Sequence, residues 1–150
     1  GKSRVHNDLL PARFKLKLPG EVNEFARACS GEHGKTGSRK DNVLEEASQV
    51  FYWLSIAGIA NNLSYQSLRH HEHVIRGFEE GYTGEPETKL ESMDDVVKAT
   101  SECMAFIGSR IKKLGIRPHE IAVYELKQMK QRNYLRDILE ELELLGGMPL

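Results

Sequence analysis

Apolar residues in this chain recur at helical spacing, and this pattern decides the fold class. The stretch 42–63, NVLEEASQVFYWLSIAGIANNL, opens on two glutamates and a glutamine and then runs almost wholly apolar. A second long stretch, 92–116, carries apolar residues at intervals of three and four. Alternating β-branched runs bounded by hairpin turns are nearly absent. The sequence therefore predicts an all-α fold.

The first part of the chain is predicted to hold a short helix, a loop and a long helix. Pro19 suits the first position of a helix that runs to about Cys29. Residues 30–42 are rich in glycine and charge, which predicts a loop. Asn42 and Glu45 have the spacing of a capping box, so we expect the long apolar helix to begin there.

A polar helix is predicted over 64–82, with Ser64 as its cap and Gly81 at its end. A second long helix, over 92–116, is predicted to follow, and Pro118 is predicted to start a highly charged last helix. The inner face of the 92–116 helix is predicted from its apolar spacing to comprise Met93, Val96, Val97, Thr100, Met104, Ile107, Ile111 and Leu114.

A long apolar helix followed by a polar helix thus occurs twice. This repeat predicts two antiparallel helical hairpins, 42–82 and 92–147, which pack together as a bundle with the N-terminal helix. The chain has 150 residues, of which 39% are hydrophobic, enough for one core. We therefore expect residues 1–150 to form a single domain.

Charge and cysteine content narrow the class of protein. Lys+Arg 21 and Asp+Glu 22 leave a formal net charge of -1, which favours neither nucleic acid nor an anionic membrane as a partner. No stretch reaches the ~18 to 20 apolar residues of a membrane span. The two cysteines, Cys29 and Cys103, lie in apolar helical patterns rather than in a disulfide framework. These features predict a cytoplasmic protein.

Two pairs of oxygen-bearing side chains stand three residues apart at helix heads. Glu21 and Glu24 form the first pair, and Glu46 and Gln49 form the second. If the two helices pack near their heads, four side chains converge on a site that suits Mg²⁺, which prefers oxygen ligands. The alternative is an ordinary solvated helix face, because the segment 91–94 offers the same spacing through a glutamate and an aspartate.

At these residues the stretch 18–68 resembles the MazG-like, all-α nucleoside triphosphate pyrophosphohydrolases. The first metal motif of that family is E-E-x-x-E and the second is E-x-x-D at the head of an apolar helix. In GEVNEF, Glu21 and Glu24 match the first motif and Gly20 replaces its leading glutamate. In LEEASQ, Glu46 matches the second motif and Gln49 replaces its aspartate.

The resemblance implies a hydrolase that cleaves between the α and β phosphates of a nucleoside triphosphate and releases pyrophosphate and a monophosphate. It implies Mg²⁺, or Mn²⁺ in its place, held by the catalytic Glu21, Glu24 and Glu46, with Gln49 as a neutral oxygen ligand or an outer partner. The later stretch 110–134 also resembles the family and supplies candidates for phosphate binding, namely Lys127, Lys130, Arg132 and Asn133. The alternative for this last group is a solvated basic helix face.

Other functional classes remain open at this point. Because Gly20 and Gln49 depart from the family pattern, the chain is alternatively a catalytically weak or silent helical module that binds a nucleotide or a partner protein. A helical assembly protein is a third possibility. The consecutive aromatic residues 51–53 cannot all face one way, which predicts a homodimer or higher oligomer. His70 and His73 share a helix face but lack the paired motif of a zinc site.

Overall fold

The structure, a computed structural model, describes residues 13–32 and 37–132, with side chains described as far as residue 128. Every regular element in these ranges is a helix, so the predicted all-α class is confirmed. The helices are α1 (Arg13–Cys29), α2 (Arg39–Ala60), α3 (Tyr65–Leu68), α4 (His70–Glu80), α5 (Met93–Lys113) and α6 (Pro118–Arg132). None of the helices described is both long and apolar enough to cross a bilayer.

Helix α1 includes Arg13, so the predicted start at Pro19 is wrong. Phe14 and Leu18 are buried and extend the apolar stripe of Phe25 by two turns toward the N-terminus. Burying two such side chains gains roughly 3 to 6 kcal/mol, which offsets the ~3 kcal/mol that a proline costs inside a helix. Pro19 itself is exposed, so its ring meets solvent on the outer face.

Helix α2 begins at Arg39, one turn before the predicted cap at Asn42. Ser38 is the true N-cap, since its hydroxyl accepts a hydrogen bond of 3.2 Å from the backbone N–H of Asp41. Asn42 lies within the helix and is buried. The predicted capping box is wrong because the first turn, 39–41, is wholly polar, and the apolar pattern becomes visible only after it.

The segment 64–82 is two helices rather than the one predicted. Ser64 does cap a helix, but α3 ends at Leu68, and Arg69 adopts a left-handed conformation with φ of 54°. The break follows from packing: buried Leu68 lies on Gly58 of α2, where any added Cβ would collide with it. Helix α4 then ends at Gly81, with φ of 84°, as predicted.

Two antiparallel helix pairs build the bundle. In the first pair, α1 lies against α2, since Arg13 stands over Trp53 while Glu24 meets Glu46 at the other end. In the second, α4 lies against α5, and α6 packs across α2 and α4. The hairpin partners therefore differ from the predicted ones, because α1 belongs to a pair and α2 packs only weakly against α3 and α4.

The α4–α5 pair depends on two glycines. A Cβ at Gly77 would collide with the backbone of Ala105, and a Cβ at Gly108 would collide with the backbone of Val74. The two helices thus meet backbone to backbone. The predicted packing of 42–82 against 92–147 is therefore found chiefly between α4 and α5 in the described residues, with fewer contacts from α2 to α5 and α6.

The predicted inner face of α5 is wrong at its first turn. Met93 is 51% exposed and Val97 is 42% exposed, whereas Val96, Thr100 and the later members are buried apart from half-buried Leu114. Gly77 faces Ala105, so the first turn of α5 extends beyond the end of α4 at Glu80, and α4 does not cover Met93 and Val97.

Helix α2 is the central helix, and it buries all three consecutive aromatic residues. Phe51, Tyr52 and Trp53 are each at most 5% exposed within one chain, because α1, α5 and α6 contact different sides of α2. A helix covered on several sides has no outer face to keep polar. These aromatic residues therefore give no support for an oligomer, which stays a prediction.

Candidate metal centre

Three carboxylates converge where α1 packs against α2. Glu21 and Glu24 share one face of α1, and Glu46 reaches them from the first half of α2. Each contributes an oxygen, and these three oxygens all lie within 4.8 Å of one another. Among the described histidines, cysteines, aspartates and glutamates, this is the one group of three with such spacing.

The cluster is partly removed from water. Glu46 is 2% exposed, and Glu21 and Glu24 are half-buried. Burial raises the pKa of Glu21 to about 7, the neighbouring charges of Glu24 and Glu46 add to this rise, and Lys17 opposes it. Like charges gathered in a half-buried place repel one another, so the metal-free cluster is costly.

The residues present fit a hard divalent cation. The Oε2 atom of Glu21 is buried and has no hydrogen-bond partner among the described residues. Leaving such an atom without a partner costs about 1 to 3 kcal/mol. Three carboxylates offer the oxygen ligands that Mg²⁺ prefers, and they leave further coordination positions for water or phosphate.

The two positions that depart from the family motifs lie beside this cluster. Gln49 is half-buried one helical turn after Glu46, and its amide forms no hydrogen bond with a described residue. Gly20 is exposed, and a Cβ built there would meet nothing within 4 Å. Gly20 therefore leaves open space on the face of α1 that carries Glu21 and Glu24.

Lys127 is the one predicted phosphate ligand whose side chain is described. It lines a cleft of about 440 Å³ between α2 and α6, together with Asp41 and Leu44. Residues 41 and 44 project from a different side of α2 than Glu46, given the helical repeat of 3.6 residues. The side chains of Lys130 and Arg132, and all of Asn133, lie outside the described part of the chain.

The histidine-rich stretch forms a packed cluster instead of a metal site. His70 is fully buried and stacks between the rings of Phe51, at 5.3 Å, and Tyr65, at 4.6 Å. Its neighbour His71 lies 3.7 Å from Glu125 of α6, measured from Nε2 to Oε2. This separation is too long for a hydrogen bond.

Sequence reasoning missed two charged residues that the structure places at buried or functional positions. Glu125 lies one turn after buried Ile121 on the inner side of α6, and burial raises its pKa to about 8. Lys17 stands one turn before Glu21 on α1, close enough to act on the pKa of Glu21. Helical spacing from Ile121 and from Glu21 was the available signal for both.

Comparison of the chain with protein-family models, curated proteins and solved structures finds no match. The functional interpretation therefore rests on the geometry of the glutamate cluster and on the motifs that carry it.

Proposed function

We propose that this chain is a Mg²⁺-dependent nucleoside triphosphate pyrophosphohydrolase, which cleaves between the α and β phosphates and releases a nucleoside monophosphate and pyrophosphate. The observation that carries the proposal is the convergence of Glu21, Glu24 and Glu46 within 4.8 Å. The MazG-like spacing of the same residues supplies the reaction class.

In this proposal the three glutamates hold Mg²⁺, with Mn²⁺ as a substitute, and Gln49 lends a neutral oxygen. When bound, the ion neutralises phosphate charge and lowers the pKa of an attacking water. Buried Glu46 has little freedom to move, so it fixes the position of the ion. Lys130, Arg132 and Asn133 remain the proposed phosphate ligands, since cations and amides stabilise the charge that develops during cleavage. Lys127, the fourth residue proposed from the sequence, lines a cleft on another side of α2 from Glu46 and is left out of this role.

A second candidate is a silent module of the same fold that binds a nucleotide and does not cleave it. The observation that favours it is the absence of a charged side chain at positions 20 and 49, where the family motifs have a carboxylate. Weaker metal binding would then permit binding of the nucleotide without turnover.

The test is an assay of purified protein with a panel of canonical and deoxyuridine nucleoside triphosphates in Mg²⁺, with pyrophosphate and orthophosphate measured separately. We expect pyrophosphate release that is lost in Glu46→Gln and in chelator. Glu91→Gln is the matched control, because Glu91 is exposed and pairs with Lys15 at 3.2 Å, away from the cluster. Circular dichroism shows whether each variant is folded.

The outcomes separate the two candidates. Metal-dependent nucleotide binding without pyrophosphate release supports the silent module. Absence of both binding and release overturns both candidates. Release of orthophosphate alone places the cleavage at another bond and rejects the proposed reaction.

A further inference from the structure

One face of α1 changes from cationic to anionic within two helical turns. Lys17, Gly20, Glu21 and Glu24 follow one another at positions i, i+3, i+4 and i+7, which share a face of a helix. Lys17 is exposed and forms no hydrogen bond or ion pair with a residue in the described ranges. Its charge acts on the pKa of Glu21, one helical turn away, so a cation stands at the edge of the carboxylate cluster.

Gly20 leaves the helix surface bare between this cation and the carboxylates. The residue is exposed, and the space around its missing Cβ is open to at least 4 Å. A longer side chain here would lie across the path from Lys17 to Glu24. The replacement of a glutamate by glycine therefore does more than remove a charge, because it also makes room.

The charges on this face determine the direction in which a polyphosphate bound at the cluster would extend. Phosphate oxygens that do not coordinate the metal ion are repelled by the glutamates. On this face of α1 the nearest cation is Lys17, and the open surface at Gly20 leads to it. A lysine ammonium that forms no ion pair within the described ranges is well suited to such a phosphate group.

We infer that Lys17 and the open surface at Gly20 form a subsite for the phosphate that extends beyond the metal-binding glutamates. The protein then selects metal-bound di- and triphosphates over monophosphates. This inference rests on the proposed function, since it requires a metal ion at Glu21, Glu24 and Glu46. It adds two residues, Lys17 and Gly20, to those assigned to substrate binding.

A different role for Lys17 makes a different prediction. If Lys17 only offsets the negative charge of the cluster, its removal strengthens metal binding and affects all phosphate ligands equally. If Lys17 holds the extending phosphate, its removal weakens the binding of long phosphate chains and spares orthophosphate. The comparison between phosphate ligands of different length therefore decides between the roles.

The experiment is calorimetric titration of the full chain with Mn²⁺ alone and, at saturating Mn²⁺, with tripolyphosphate, pyrophosphate and orthophosphate. For Lys17→Ala we expect tripolyphosphate to bind about tenfold or more weakly, the scale of one lost charge-assisted contact. Orthophosphate binding should change less than about twofold, and Mn²⁺ alone should bind as tightly or more tightly. Lys15→Ala is the matched control, because Lys15 points to another side of α1 and pairs with Glu91.

Variants at Gly20 test the open surface separately. Gly20→Ala adds one methyl group into open space and should keep tripolyphosphate affinity, whereas Gly20→Leu should lower it without changing the affinity for Mn²⁺ alone. Unchanged tripolyphosphate binding in Lys17→Ala, or an equal loss for tripolyphosphate and orthophosphate, overturns the inference and leaves the proposed function standing. If the wild-type protein binds no Mn²⁺ at all, the proposed function and the inference both fall.

Discussion

The phenolic oxygen of Tyr124 donates a hydrogen bond of 2.6 Å to Oε2 of Glu45, which joins α6 to α2 at the residue before Glu46. A second polar link, the ion pair of Lys40 with Glu120, joins the same two helices nearer their N-termini. Apolar burial on α6 is sparse, since Ile121 is its one fully buried side chain as far as residue 128. Polar contacts therefore carry much of the attachment of α6.

Tyr124→Phe should lower the free energy of unfolding by about 1 to 2 kcal/mol, because it removes a hydrogen bond to a charged acceptor that is partly buried. Urea unfolding followed by circular dichroism measures the change. Lys127→Ala serves as the control, since Lys127 is exposed on the same helix. A loss below ~0.3 kcal/mol would mean that water replaces the phenol at Glu45 without cost.

His70 should make the protein sensitive to acid. Its ring is fully buried, both ring nitrogens lack a hydrogen-bond partner among the described residues, and burial lowers its pKa from 6.5 to about 3. Between pH 6.5 and about pH 3, His70 therefore binds a proton in the unfolded chain and stays neutral in the folded chain. The contribution of His70 to stability is complete above pH 6.5 and is lost as the pH falls toward about 3.

His70→Phe tests this expectation, because phenylalanine keeps the stacking with Phe51 and Tyr65 and cannot take a proton. The variant should lose less stability than the wild type between pH 6.5 and pH 4, as measured by thermal unfolding at each pH. His119→Gln, at an exposed position, should follow the wild-type curve. Parallel curves for wild type and His70→Phe would show that other groups determine the acid sensitivity.

Glu125 should act in the opposite direction. Burial raises its pKa from 4.5 to about 8, so the folded chain holds a proton that the unfolded chain releases. The stabilising contribution is complete below pH 4.5 and is lost as the pH rises through about 8. Facing groups give little compensation, since burial lowers the pKa of His71 and Tyr65 brings no positive charge.

Glu125→Gln should remove this loss of stability at high pH, because the amide resembles the protonated carboxyl group and cannot ionise. We expect the variant to match the wild type near pH 5 and to be the more stable of the two near pH 9. Glu120→Gln on the same helix should instead be destabilised at both pH values, because Glu120 is ionised and paired with Lys40. An equal loss of stability between pH 5 and pH 9 in Glu125→Gln and wild type would contradict the expectation.

The local sequence pattern was enough to predict that the chain is helical and that its glutamates are spaced three residues apart. It failed where tertiary packing determines the structure. Helical spacing was enough to place Glu21 and Glu24 on one face, whereas their meeting with Glu46 depended on the assumption that the two helices pack near their heads. The break at Arg69 had no such signal, since neither glycine nor proline stands there. It follows from the fit of Leu68 against Gly58, which lies ten residues earlier in the sequence.

Helix partners were also beyond local pattern, although glycines within helices were a usable hint. Gly77 and Gly108 each stand inside a helix, where glycine costs about 1 kcal/mol relative to alanine. Such a cost is accepted where backbones approach closely, and each of these two glycines lies against the backbone of the opposite helix of the α4–α5 pair. The two glycines considered together would have predicted from the sequence that α4 packs against α5.

Gln49→Asp should tighten metal binding in the absence of nucleotide. The substitution adds a carboxylate one turn after Glu46, and one more charge-assisted ligand is worth about 1 to 3 kcal/mol. Calorimetry with Mg²⁺ or Mn²⁺, with and without a non-hydrolysable triphosphate analogue, measures the change in both states. Because substrate phosphates supply charge of their own, the difference between wild type and variant should shrink when the analogue is present.

Gln66→Asp places the same charge on α3 as a control and should leave metal affinity unchanged. Equal metal affinity in wild type and Gln49→Asp would place residue 49 outside the coordination of the ion and leave Glu21, Glu24 and Glu46 to hold it alone.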